Sequence, residues 1–70
     1  MDRTTVISSN IDSIGYDANS ETLEVEFKGN AVYNYSNVPE EVYRILIRAD
    51  SVGKMLNSIV KGRYSYTKVE

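Results

Sequence analysis

The chain contains no cysteine and no histidine. Without cysteine there is no disulfide to constrain the unfolded state and no thiolate nucleophile. Without histidine the commonest general base is missing, and the usual ligands of zinc, iron and haem are gone with it. Carboxylate and carbonyl oxygens are the only metal donors left. Proline and phenylalanine each occur once. No apolar run approaches the roughly 20 residues that a membrane-spanning helix needs. The opening Met1-Asp2-Arg3-Thr4-Thr5 stretch also lacks the apolar core of a signal peptide. These absences predict a soluble cytoplasmic protein with no membrane segment, no cofactor, no metal and no enzymatic activity. Its 70 residues (1–70) are read as a single domain, near the lower limit for a core that folds unaided.

Charge is present but unevenly placed. The formal net charge is −2. Residues 1–41 carry Asp2, Asp12, Asp17, Glu21, Glu24, Glu26, Glu40 and Glu41 against only Arg3 and Lys28. Residues 42–70 carry Arg44, Arg48, Lys54, Lys61, Arg63 and Lys68 against Asp50 and Glu70. Such a division can mark an anion-binding face, or two halves that attract each other.

Hydrophobic periodicity sets the architecture. Residues 1–9 are polar and are expected to fray over 1–7, with Val6-Ile7-Ser8-Ser9 able to add to a sheet edge. Ile14 and Tyr16 alternate within 11–17, which reads as a first strand. Asp17-Ala18-Asn19-Ser20 has turn chemistry. Over 22–28, Leu23, Val25 and Phe27 face one way while Glu24, Glu26 and Lys28 face water, the pattern of an antiparallel strand buried on one side. Gly29-Asn30 supplies a hairpin turn into a third strand over 31–35. Pro39, Glu40 and Glu41 suit the first turn of a helix, in which Val42, Ile45, Leu46 and Ala49 form an apolar stripe. Asp50-Ser51 ends that helix and caps a second, with Val52, Met55, Leu56 and Ile59 at helical spacing. Gly62 suits a left-handed stop, and 63–69 alternates as a short last strand. The expected class is α+β: a three-stranded antiparallel meander, two packed helices and a possible short C-terminal strand, β-β-β-α-α-β.

Six of the seven aromatic residues are tyrosines, four of them in two Tyr-x-Tyr pairs, Tyr33/Tyr35 and Tyr64/Tyr66. Residues two apart on a strand share a face, so each pair makes a shelf that either packs as half-buried core or offers its rings to a partner. The face taken by Tyr33 and Tyr35 depends on the register through Gly29-Asn30; the bulk a small domain needs favours the core. Tyr64 and Tyr66 lie beside Lys61, Arg63 and Lys68. With Arg44, Arg48 and Lys54, and with Tyr43 interleaved, they have the ingredients of a nucleic-acid or anion surface. The plain alternative is an ordinary surface with snorkelling stems, and Arg44 can pair with Glu40 or Glu41 on its own helix. Glu24 and Glu26 read as a solvated strand face rather than a catalytic pair. Asp17 and Glu21 lack the oxygen density of a calcium loop.

The order of these residues resembles the KTSC domain, a short bacterial and phage module named for its occurrence at the C-terminus of some lysyl-tRNA synthetases. The resemblance runs from about Ser8 to Tyr66. It is carried by Leu23-x-Val25-x-Phe27, Gly29, Tyr33-x-Tyr35, Val38-Pro39, Val42-Tyr43, Ala49-x-Ser51-x-Gly53, Asn57, Ile59 and Tyr64. The chain departs from the family at Met55-Leu56-Asn57, where many members carry an aromatic before the asparagine. The match spans almost the whole chain, as in stand-alone members of the family; the resemblance implies no established function, and RNA binding is suggested largely by attachment to a tRNA-charging enzyme.

Two functions from different classes follow. In the first, Arg44, Arg48, Lys54, Lys61 and Arg63 neutralise the phosphates of an RNA while tyrosines stack on its bases, with Tyr64 and Tyr66 the preferred pair. In the second, the domain is a protein-interaction or adaptor module that binds or sequesters a host component. Ile47 and Tyr43 flank the apolar stripe and leave monomer or homodimer open.

Overall fold

A computed structural model describes residues 2–69 of the chain. The elements in chain order are β1 (Arg3–Thr5), β2 (Ile11–Asp17), β3 (Thr22–Phe27), β4 (Ala31–Tyr35), α1 (Glu40–Arg48), α2 (Val52–Ile59) and β5 (Tyr66–Lys68). All five strands form one antiparallel sheet in sequence order, β1-β2-β3-β4-β5. The class is α+β, as periodicity predicts. The meander is longer than expected, with four strands before the helices and the tail strand extending the same sheet.

Two corrections concern the N-terminus. Residues expected to fray instead include β1, which pairs Arg3 with Gly15, Thr4 with Ile14 and Thr5 with Ser13; Met1 lies outside the described residues. The Val6–Ser9 stretch is not a strand: the Val6 N–H still bonds the Asp12 carbonyl at 3.1 Å, and the chain then leaves the sheet edge. Arg3-Thr4-Thr5 shows no apolar alternation, so nothing local announces it. A cross-strand ion pair helps hold it in place. Arg3 and Glu24 both stand opposite Gly15 in register, and the Arg3 guanidinium reaches across β2 to the Glu24 carboxylate at 3.3 Å. A side chain at position 15 would project between them.

The core face of the sheet is set by β3. Leu23 pairs with Tyr16 and Tyr35, Val25 with Ile14 and Tyr33, and Phe27 with Ile11 and Ala31. Cross-strand partners share a face, so Tyr33 and Tyr35 lie on the same side as Leu23, Val25 and Phe27. Ile11 and Ile14 are three apart, yet both are fully buried. The register shifts between Ile11 and Ser13, and this bulge restores Ile11 to the inner face. The hairpin at Gly29-Asn30 has positive φ at both residues, +94° and +70°.

Two helices close the core. Pro39 is the N-cap of α1 rather than a first-turn residue, Glu40 and Glu41 occupy the first turn, and Arg48 lies in the last. Each charge complements the helix dipole. Leu46 is the fully buried residue of α1, whereas Ile45, expected on the apolar stripe, is 48% exposed, and Ala49 is an extended C-cap. Ser51 caps α2 by accepting the Lys54 N–H at 3.3 Å. α2 ends at a Val60 C-cap, and Gly62, expected as the stop, lies two residues further on in the turn at φ +82°, with no atom within 4 Å of where a Cβ would stand. Glycine is therefore needed there for its backbone angle and not for space. Val38, Leu46, Val52, Leu56 and Val60 meet Ile11, Ile14, Leu23, Val25 and Tyr35 in one cluster. No helix among the described residues is long and apolar enough to cross a membrane.

Candidate functional site

Pairing of β5 with β4 brings the two tyrosine pairs together. Tyr35 stands opposite Tyr66 and Tyr33 opposite Lys68. The rings of Tyr33 and Tyr66 are parallel within 4° at a centroid separation of 5.3 Å, an offset stack. Phe27 meets Tyr33 edge-on at 5.4 Å, and Tyr35 tilts against Tyr66 at 5.7 Å. Tyr35 is 2% exposed and Tyr66 is 60% exposed, so the cluster runs from the core to water. Burial, then the neighbouring Tyr33 and Tyr66 phenols, raises the Tyr35 pKa above its ordinary 10.0.

Lys61 joins this cluster from the end of α2. Its ammonium lies 5.2 Å from the centroid of Phe27, within cation–π range. Lys61 and Gly62 form the far wall of a cleft of about 290 Å³ whose other wall is Tyr33, Tyr35 and Tyr66. Arg63 lies one residue beyond Gly62, in a shallow depression it shares with Tyr64 and Tyr66.

A second cleft, of about 270 Å³, is lined by Phe27 and shares Lys61 with the first. Its walls are the Ser9–Ile11 segment and α2, with Lys28, Gly53 and Asn57 among the lining residues. Gly53 is buried where α2 passes the Ser8 loop: a Cβ there would stand 3.3 Å from the Ser8 Oγ and 4.0 Å from the Asn10 Nδ2. The Ser8 Oγ in turn accepts the N–H groups of Asn10 and Ile11, each at 3.3 Å.

The remaining residues singled out from the sequence are placed as follows. Tyr64 is half-buried against the core and lies outside β5, so the Tyr64/Tyr66 pair is not a shelf; Tyr66 has Tyr33 as its stacking partner instead. Tyr43 packs on Tyr16 at 5.4 Å and 15°. The Tyr16 hydroxyl donates to the Val38 carbonyl at 2.5 Å. Its pKa is raised by desolvation and by the carboxylates of Glu21, Glu40 and Asp17, a setting that repels an anion. Arg44 is paired with Glu40 at 3.3 Å. Arg44, Arg48 and Lys54 line neither cleft. Of the family-motif positions, Tyr33 and Tyr35 wall the aromatic cleft, and Gly53 and Asn57 line the second. Val38 is core, Pro39 and Ser51 are helix caps. Sequence reasoning did not find Phe27 as the cation–π partner of Lys61, because the two are 34 positions apart and nothing local signals the contact.

Comparisons with known proteins agree with this architecture. A family model described as the KTSC domain matches residues 7–64. An uncharacterised protein of Stutzerimonas stutzeri is 41% identical over 71 residues, covering 100% of both chains. A lysine–tRNA ligase of Nostoc punctiforme is 33% identical over 59 residues, covering 84% of this chain and 10% of the ligase. Among solved structures, a KTSC domain protein of Yersinia pestis superposes with a TM-score of 0.95 at 35% identity, covering 99% of this chain and 97% of that one. The matched region includes Tyr33, Tyr35, Lys61 and Gly62 of the aromatic cleft, and Tyr66 lies just beyond it.

Proposed function

The chain belongs to the KTSC domain family, and from that premise we propose that it is a small non-catalytic module that binds single-stranded RNA at the aromatic cleft. The observation that carries this reading is the Tyr33–Tyr66 stack, with Tyr66 60% exposed, set opposite Lys61. An unstacked base extends or enters such a stack, and each base–aromatic contact is worth about 1–3 kcal/mol. Lys61, Arg63 and Lys68 are near enough in sequence and register to meet the flanking phosphates. The cleft is walled by phenols, an ammonium and a glycine, groups that hold a ligand rather than cleave one. The relative named as a lysine–tRNA ligase supports RNA as the nucleic acid in question.

The net charge of −2 supplies no long-range attraction for a polyanion, so binding must come from local contacts and be modest. A fluorescence-anisotropy titration of a labelled single-stranded RNA tests the reading. Affinity should fall with rising salt, at about 0.7 log units per log unit of salt for each phosphate engaged. Tyr66→Ala, at an exposed position, should abolish most of the binding while the fold is retained. Binding that ignores both salt and Tyr66→Ala would refute the assignment. A defined protein partner recovered after nuclease treatment, with no RNA affinity, would establish the adaptor role instead.

A further inference from the structure

The two clefts share Lys61, whose ammonium lies over the ring of Phe27, a lining residue of the second cleft that also makes an edge-to-face contact with Tyr33 of the first. Among the described residues, no carboxylate lines either cleft, although the chain as a whole has more acids than bases. The second cleft offers donors in their place: the ammoniums of Lys28 and Lys61 and the side-chain amides of Asn10 and Asn57. One carboxylate stands nearby, since Asp12 lies 3.9 Å from Lys28, but both groups are about half exposed and such a pair is weakly held. An acid-free, donor-lined recess beside an aromatic cleft suits one chemistry: a phosphate joined to a flat ring.

We propose that the cleft between the Ser9–Ile11 segment and α2 is a phosphate subsite, which receives the backbone phosphate of the nucleotide next to the base held by Tyr33 and Tyr66. This rests on the reading of the aromatic cleft as a base-binding site and extends it across Lys61. The ligand is then longer than one nucleotide. Its base stacks on the tyrosines, Lys61, common to both clefts, meets the strand, and Lys28, Asn10 and Asn57 hold the next phosphate. Asn57, exposed on α2, lines this recess and presents an amide donor to it. Gly53 contributes by its bare surface: a side chain there would press on the Ser8 Oγ and narrow the recess near Asn10.

The test uses the full chain, 15N-labelled, titrated first with inorganic phosphate and then with a short single-stranded oligoadenylate RNA. Phosphate alone should shift the amide signals of Asn10, Gly53 and Asn57 and leave Tyr66 unmoved. The oligonucleotide should shift both groups. Asn57→Ala and Lys28→Gln, both exposed and outside the aromatic cleft, should each weaken the oligonucleotide about 3- to 10-fold, as expected for one charge-assisted contact. Lys28→Gln should also lower the salt slope by about 0.7. If the oligonucleotide perturbs Tyr66 but both variants bind as tightly as the parent and phosphate shifts nothing in the cleft, the subsite is overturned and the aromatic reading survives. If the oligonucleotide fails to bind at all, both are overturned.

Discussion

Gly53→Ala tests whether the packing of α2 against the Ser8 loop has been read correctly. Two effects oppose each other at this position. Alanine in place of glycine within a helix gains about 1 kcal/mol of intrinsic propensity. The new Cβ would stand 3.3 Å from the Ser8 Oγ, closer than most such contacts, so the hydroxyl must retreat by a few tenths of an ångström. That oxygen accepts two N–H groups at 3.3 Å, bonds already long enough for a small retreat to forfeit much of each. A typical hydrogen bond contributes about 1 kcal/mol net. The gain and the loss are therefore of one size, and Gly53→Ala should leave stability within about 1 kcal/mol of the parent. Ser8→Ala should cost about 1 kcal/mol by itself, because the half-buried Ile11 N–H loses its acceptor. In the Ser8→Ala background the crowding is gone, and Gly53→Ala should then stabilise by close to its full propensity gain. Urea denaturation followed by far-UV circular dichroism gives the four midpoints of this cycle, with an expected coupling of about 1 kcal/mol. Equal effects of Gly53→Ala in the two backgrounds would refute the reasoning, since Ser8 would then not be what limits position 53.

Leu46→Ala removes the fully buried anchor of α1 and should cost about 2–5 kcal/mol, a large part of the roughly 4–10 kcal/mol available to a domain of this size; a chemical-denaturation midpoint near that of the parent would contradict the packing. A double-mutant cycle on Arg3 and Glu24 should return a coupling of about 0.5–1 kcal/mol in low salt that shrinks at high salt, and no coupling in low salt would mean that the ion pair across Gly15 does not hold β1. Tyr16 and Tyr35 keep their phenols neutral above the ordinary pKa of 10.0, while in the unfolded chain they ionise at that value. Their contribution is therefore complete below pH 10 and is lost as pH rises from about 10 through the raised folded values. Denaturation midpoints at about pH 9 and about pH 11 should fall less for the Tyr16→Phe/Tyr35→Phe double variant than for the parent, and equal falls would remove these two groups as the cause.

Much of the fold can be read along the chain because its signals are local. Leu23, Val25 and Phe27 alternate with charged residues, so β3 and its inner face follow from the period of a strand. Asp17 and Asn19 announce a turn, and the Asp17 carboxylate does bond the Asn19 N–H and the Ser20 hydroxyl. Ser51 marks the start of α2 by cap chemistry, and Gly62, two residues past the Val60 C-cap, takes the positive φ of the turn that follows. The misreadings arise where the deciding contact is distant. β1 is polar throughout, and it is held by backbone pairing with β2, helped by the register that places Arg3 within reach of Glu24. Ile45 lies at a spacing that fits the apolar stripe of α1, yet the sheet covers the side bearing Leu46 and leaves Ile45 in water.

The tyrosines show the division most clearly. By itself the sequence determined that Tyr33 and Tyr35 share one strand face, because alternation is a property of any extended chain. It likewise determined that the chemistry of the tail is aromatic and basic. The face taken by the first pair was decided by the hairpin register, which sets Tyr33 opposite Val25 and Tyr35 opposite Leu23. The merging of the two pairs was decided by β5 returning to the edge of β4, which stacks Tyr66 on Tyr33 and sets both opposite Lys61. Pairing between strands separated by two helices depends on the closure of the whole chain. No period or spacing within either segment encodes it.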